Sequence, residues 1–232
     1  MEWKTYYLDL MLVPLEFLMT IGYYVWLWNK TRREPFSTTI GINAHARRFW
    51  VPTMLKDIEK KNILVAQSLR NQLMGSTLMA TTSILLSAGL AALMSSTYSV
   101  KKPLDDVVYG AHGEFMVALK YVTLLTIFLF SFFCHTLSIR FLNQLSILIC
   151  TPQDVMSMVT SEYLSDILEK GTTLNTIGNR VFYSALPLLL WIFGPVMVFL
   201  CSLVMLIVFY NLDVVCGSGK AKIILNGESN YV

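Results

Sequence analysis

Residues 121–139 read YVTLLTIFLFSFFCHTLSI, and no Asp, Glu, Lys or Arg lies between Lys120 and Arg140. A helix of about 20 apolar residues is long enough to cross the hydrocarbon core of a bilayer. Because the bilayer offers no water to an open backbone, such a stretch has to satisfy its peptide groups internally, as a helix. These residues therefore predict a membrane-spanning helix.

Three further stretches have the same character. Residues 71–100 and 181–212 contain no charged side chain, and residues 6–28 contain only two. The pattern predicts an all-α membrane protein in the lipid bilayer, with four transmembrane helices at about residues 6–28, 73–97, 117–139 and 184–212. These spans use nearly half of the 232 residues, so we expect a single membrane domain and no separate soluble domain.

The basic residues are concentrated in two of the connecting segments. Residues 29–72 and 140–180 together carry 12 of the 18 Lys and Arg residues. The positive-inside rule places both segments in the cytosol. With four spans, both termini are then expected on the non-cytosolic side. Membrane-adjacent Lys and Arg explain this bias, so we expect no nucleic-acid partner.

Both basic segments are predicted to contain helices. From Thr53 the chain has a helical pattern that runs without a break into the second span, and the third span keeps its helical character up to Cys150. Residues 151–154, TPQD, are typical of a helix start. We expect that helix to end at Gly171. These cytosolic helical extensions should pack together as a short bundle.

An acidic residue lies near the centre of the first span. Glu16 follows Asp9 by two helical turns on the same face, and Thr20 continues that face. An ionisable group inside the membrane is a candidate functional residue, and in a symmetric oligomer this face could form rings that line an ion pathway. Alternatively, Glu16 is protonated, or is paired with Lys120 or His135, and stabilises the bundle.

The second span carries small and hydroxyl side chains at helical spacing. Ser83 and Ser87 lie on this stripe, together with Ser76, Ala80 and Ala91. A pore wall could have this composition, but small residues also let helices approach closely in lipid, and packing is the favoured interpretation.

His135 in the third span is interpreted as a hydrogen-bonded structural residue in preference to a proton relay or metal ligand. The other histidines have no spacing typical of a metal site. No phosphate-binding glycine loop, zinc helix or nucleophile motif is present. We therefore expect neither an enzyme nor a bound cofactor or structural metal.

Short motifs along the chain resemble those of the plant domain-of-unknown-function family 599, and they occur at residues 7–9, 12–14, 67–74, 138–141 and 191–195. The resemblance covers roughly residues 5 to 212 and implies a four-span plant membrane protein. Within that family the chain is similar to a clubroot-resistance channel of crucifers. This closer likeness implies a ring of five subunits that conducts cations in the endoplasmic reticulum. The plasma membrane is the second expected location.

The leading hypothesis is an oligomeric cation channel that acts in plant defence. Four spans cannot enclose an aqueous pore by themselves, so a channel requires a cyclic homo-oligomer. Glu16 and Asp9, together with acidic residues in the segment between spans two and three, would favour cations. Calcium prefers oxygen ligands such as carboxylates. The alternative is a membrane scaffold or adaptor that transports nothing, and the sequence leaves both hypotheses open.

Overall fold

The computed structural model describes residues 3–56, 58–99, 114–151 and 160–215. This part of the chain is helical and contains no β-strand. Its six α-helices are α1 (Trp3–Arg33), α2 (Thr39–Lys56), α3 (Ile58–Ser99), α4 (Glu114–Cys150), α5 (Ser161–Leu189) and α6 (Pro195–Asp213). Two single 3₁₀ turns, Pro35–Ser37 and Leu190–Ile192, precede α2 and α6.

Four of the helices contain segments that are long and apolar enough to cross a bilayer. They are Met11–Arg33, Lys60–Ser96, Val117–Cys150 and Pro195–Asp213. The predicted all-helical class is therefore confirmed, and the described residues contain four helices that are able to cross a bilayer by length and composition.

Helices α3 and α4 are longer than a helix needs to be to cross a bilayer. Helix α3 has 42 residues and α4 has 37, which at 1.5 Å per residue is about 63 and 55 Å, well beyond the hydrocarbon thickness. A cluster of buried apolar side chains joins α2, the first part of α3, the last part of α4 and the first part of α5. One detail differs from the prediction: Thr53 belongs to α2, and the long helix begins at Ile58.

Helix α4 lies between α3 and α5 and buries one side chain every three or four residues. This alternating spacing is the seven-residue repeat with which helices pack side by side. The buried positions with this spacing are Leu124, Phe128, Ser131, His135, Ser138, Leu142, Leu145 and Ile149, and Lys120 and Cys134 of the same helix are buried as well. The ends of this row are apolar and its middle is polar, so the α3–α4–α5 bundle has two apolar cores separated by a hydrogen-bonded layer.

Helix α5 follows α4 in the opposite direction and does not end at Gly171 as predicted. Gly171 is buried inside α5, where a Cβ would lie 3.2 Å from the side chain of Leu142. The Ser138 hydroxyl donates a hydrogen bond of 2.7 Å to the Gly171 carbonyl. The glycine therefore serves a close helix–helix contact and does not terminate the helix.

The chain reverses direction at residues 190–194, where the prediction had one continuous fourth span. Gly194 has φ 151°, a conformation that side-chain-bearing residues rarely adopt, and Pro195 opens α6. Beyond this turn α6 runs back along α5, so that Asp213 forms an ion pair with Arg180. Residues 184–212 were predicted to form a single span. In the structure they form the last turns of α5, the reversal, and then α6, which runs antiparallel to α5.

This hairpin changes the expected placement of the chain ends. Thr38, which follows α1, forms an isolated bridge with Val214, and the Val215 amide donates to the Ser37 carbonyl. Helices α1 and α6 therefore finish at the same end of the bundle, which we call the basic end because α1 finishes there at Arg33. The start of α1 lies at the opposite end. The first and last described residues, Trp3 and Val215, therefore lie at opposite ends of the bundle. The termini themselves are outside the described residues, and the side of a membrane on which they lie stays a prediction.

Candidate functional site

The candidate site is a narrow cleft between α1 and the α5–α6 hairpin. Glu16 projects into it and is 2% exposed. The cleft is lined by Glu16, Thr20, Tyr24, Tyr183, Ser184, Pro187, Ser202, Met205, Leu206 and Phe209. The lining contains no basic side chain, so the acidic residue predicted as the centre of the site has no counter-ion beside it among the described residues.

The Glu16 carboxyl is poorly satisfied by the protein. The Thr20 hydroxyl donates to Oε1 over 3.4 Å, which is long for a hydrogen bond between oxygens, and Oε2 is buried with no partner. Neither Lys120 nor His135 is its partner, although the sequence suggested both. The Lys120 ammonium donates to the Trp191 carbonyl at 3.2 Å, and His135 contacts Asn175. The predicted pairing of Glu16 is therefore absent.

Two serine hydroxyls complete the polar part of the cleft. The Ser184 hydroxyl donates to the Val181 carbonyl at 2.8 Å, and the Ser202 hydroxyl donates to the Phe199 carbonyl at 2.9 Å. Each hydroxyl has a single proton, which its own helix uses. The serine oxygens therefore present only lone pairs to the cleft. Ser184, Ser202 and Glu16 all act there as hydrogen-bond acceptors.

The cleft is too small to be a pore. Its free volume is about 10 Å³, which is close to the minimum for one water molecule. Calcium in proteins takes six to eight oxygen ligands, and the described residues contain no group of three or more His, Cys, Asp or Glu side chains that could hold a metal ion. The described part of a single protomer in this conformation therefore contains a small polar cleft and no continuous ion pathway through it.

A buried ion pair closes the cleft region at the basic end. Arg180 of α5 donates to both carboxylate oxygens of Asp213 in α6, and the Tyr23 hydroxyl of α1 donates to Asp213 Oδ2 at 2.6 Å. The Tyr24 hydroxyl also donates to the Arg180 carbonyl at 3.4 Å. These contacts fasten the three helices that form the Glu16 cleft.

Ser83 and Ser87 lie inside the protomer, on the face of α3 that contacts α4. The Ser83 hydroxyl donates to the Met79 carbonyl at 2.8 Å and lies 3.3 Å from the Ser131 hydroxyl, while Ser87 donates to the Ser83 carbonyl at 3.0 Å. Both residues are buried. This placement is that of the packing interpretation, and these residues do not share a surface with Glu16.

The opposite face of α3 is left open and is also rich in small residues. Gly75 and Gly89 are exposed, and a Cβ at either position would meet no atom within 4 Å. Thr81 and Ala92 are exposed on the same helix. The stripe identified from the sequence is thus used within the protomer, and a different α3 face is free for contacts with lipid or another chain.

His135 belongs to a polar layer in the middle of the three-helix bundle. Its Nδ1 lies 3.1 Å from Asn175 Oδ1, which also accepts a hydrogen bond of 3.1 Å from the Ser76 hydroxyl. Gly178 leaves room for the ring, because a Cβ there would lie 2.8 Å from Nε2. His135 therefore links α3, α4 and α5, as expected for a structural histidine.

Two acidic features named from the sequence cannot be placed. Asp9 lies in α1, but its side chain is outside the described residues, and so are the acidic side chains of the segment between the predicted second and third spans. The sequence did not identify Ser184, Ser202 or the Arg180–Asp213 pair. The sequence does show that Arg180 and Asp213 are the charged residues at the two ends of the uncharged stretch 181–212. Only the reversal at Gly194 brings the two together.

A bundle of six helices, four with segments able to cross a bilayer, defines a multi-pass α-helical membrane protein. The chain matches the family described as "Protein of unknown function, DUF599" over residues 11–218, and it belongs to that family. The family resemblance seen in the short motifs is thereby confirmed. No curated protein and no solved structure matches the chain.

Proposed function

We propose that this chain is the subunit of a homo-oligomeric cation channel. The observation that carries the proposal is the Glu16 carboxyl, which is buried in a membrane-spanning helix with one oxygen unpaired. Ionisable groups at this depth are costly and commonly mark ion or proton pathways. A structural carboxyl in the same position would be expected to have a cationic or hydrogen-bonding partner, as Asp213 has in Arg180 and Tyr23.

Conduction requires a ring of protomers, because the cleft within one protomer has a free volume of only about 10 Å³. A closed cyclic assembly creates a lumen that no single bundle of this size contains. The open α3 face around Gly75 and Gly89 suits close contact between protomers, since glycines allow helix backbones to approach in lipid. In this assembly the permeation path passes along α1, and Glu16 reaches it when α1 moves away from the α5–α6 hairpin.

The finer identity of the channel rests on resemblance. The likeness to WeiTsing, the clubroot-resistance protein of crucifers, supports a plant endomembrane location, most naturally the endoplasmic reticulum. It also supports five subunits, calcium as the relevant cation and a role in defence signalling. The basic end of the bundle is proposed to face the cytosol, which follows from the positive-inside rule.

Single-channel recording tests the proposal directly. Purified protein in planar bilayers should give cation-selective currents, and Glu16→Gln should reduce conductance or the preference for calcium while leaving assembly intact. Glu162→Gln is the matched control, because it makes the same chemical change at an exposed residue of α5 outside the predicted span. Wild-type protein without currents, or Glu16→Gln currents identical to wild type, would contradict the assignment.

A membrane scaffold is the second candidate. The observation in its favour is the helical extension, which has its own apolar core yet leaves Ile63 and Ile147 80% and 70% exposed. If this end of the bundle lies outside the bilayer, exposed apolar side chains of this kind are suited to a protein contact. A stable oligomer that never conducts, and whose assembly is insensitive to Glu16→Gln, would favour the scaffold over the channel.

A further inference from the structure

The surroundings of the Glu16 carboxyl determine what it can bind. From α1 the titratable group in the cleft is Tyr24, and from α5 it is Tyr183. The nearest cation on these elements is Arg180, one helical turn beyond Ser184, and it is already bound by Asp213 of α6. No positive group is therefore left among the cleft residues to balance an ionised Glu16.

The hydrogen-bond inventory of the cleft is equally one-sided. Ser184 and Ser202 give their protons to their own helices, and Thr20 reaches Glu16 Oε1 only at 3.4 Å. Tyr183, which carries a hydroxyl, also lines the cleft, but Glu16 Oε2 has no hydrogen-bond partner among the described residues. An ionised carboxylate adds further lone pairs and a net charge in a dry site, which is strongly unfavourable. A group that supplies a proton would satisfy these acceptors.

We infer that the Glu16 cleft is a proton-binding site, in which the carboxyl carries a proton while the cleft is closed and loses it when a permeating cation takes its place. The second half of this inference rests on the proposed channel function. The closed cleft has room for no more than about one water molecule. A metal cation with its oxygen ligands therefore enters only if the cleft widens, and the proton leaves at that step.

The exchange route for the proton follows from the same contacts. Thr20 and Tyr24 continue the Glu16 face of α1 towards the basic end, where the Tyr24 hydroxyl reaches the Arg180 carbonyl. These hydroxyls offer a short series of groups that can both donate and accept. The proton is therefore expected to exchange with the aqueous phase at the basic end.

Infrared difference spectroscopy of the purified protein reads the protonation state without any need for conduction. At neutral pH the wild type should show an acid carbonyl band that shifts in D₂O and is lost in Glu16→Gln. Glu16→Asp should retain an acid band, which excludes misfolding as the reason for the loss. Glu162→Gln is the matched control, because it makes the same chemical change at an exposed carboxyl of α5, and it should leave the band unchanged. Absence of a band assigned to Glu16 would overturn the inference.

The competition between proton and cation is tested separately in the bilayer recordings. Acidification of the basic end should reduce the wild-type conductance and should leave any residual Glu16→Gln conductance unchanged. Equal pH dependence in the two proteins would overturn the competition. A protein with the acid band but without currents retains the proton site and refutes the channel, whereas currents without the band refute the proton site alone.

Discussion

The buried pair between Arg180 and Asp213 provides the sharpest test of the α5–α6 hairpin. The two residues are 33 positions apart, so in one straight helix they would be about 50 Å apart. In the structure they form a salt bridge, with side-chain exposures of 21% and 4%. Any direct energetic coupling between them therefore requires the reversal at Gly194.

Asp213→Asn keeps the shape of the side chain and removes its charge. Loss of one partner of a buried pair costs about 3–5 kcal/mol, and the partial exposure of Arg180 places the expected loss near the lower figure. Tyr23→Phe should cost about 1.5 kcal/mol, because it removes a 2.6 Å hydrogen bond to a charged acceptor. Arg180→Gln combined with Asp213→Asn should be less damaging than the sum, since no single charge remains buried.

The assay is a double-mutant cycle on the free energy of reversible unfolding in mixed micelles. We expect a coupling of at least about 1.5 kcal/mol for Arg180 and Asp213. The control cycle uses Arg48 and Glu169, a 3.7 Å pair that is 69% and 40% exposed, for which about 0.2–1 kcal/mol is expected. A coupling between Arg180 and Asp213 no larger than the control would refute the hairpin.

Three other outcomes follow from the fold. In sealed vesicles, a cysteine at Val215 should react with an impermeant maleimide from the same side as one in the α1–α2 connection; labelling from opposite sides would contradict the described chain ends. Gly89→Leu should weaken the oligomer in native mass spectrometry without lowering protomer stability, whereas Ser83→Leu should lower protomer stability. The reverse result would show that the Gly89 face packs within the protomer and the Ser83 face forms the oligomer contact. Gly178→Ala should destabilise the protomer by about 1–3 kcal/mol in the same unfolding assay, because its Cβ would lie 2.8 Å from His135 Nε2; an unchanged stability would show that the ring yields freely.

Local properties of the chain were predicted well. The uncharged stretch around residues 121–139 and its continuation to Cys150 are present as α4, and the helix that enters the second span is present as α3. Both follow from composition and helical spacing, which act within a few residues and are visible in one sequence. Glu16 was also visible as an unusual residue, because a charge inside an apolar helix is rare wherever that helix packs.

The environment of the candidate site could not be predicted in the same way. A helical spacing shows that Ser83 and Ser87 share a face, but it does not say which helix that face contacts. Likewise Gly171 is compatible with a helix end or with close packing, and only the position of Leu142 distinguishes the two. The α5 and α6 residues that line the Glu16 cleft lie more than 160 residues further along the chain.

The sequence alone determined that the chain is helical and embedded in a membrane, because transfer of each apolar segment into lipid depends on that segment's own composition. The tertiary structure decided that the last apolar stretch forms parts of two antiparallel helices and not one continuous helix. A positive φ at Gly194 and the pairing of Arg180 with Asp213 fold that stretch back on itself. These contacts join residues far apart in sequence, and they alone place α5 and α6 around Glu16 and bring the two ends of the described chain to opposite ends of the bundle.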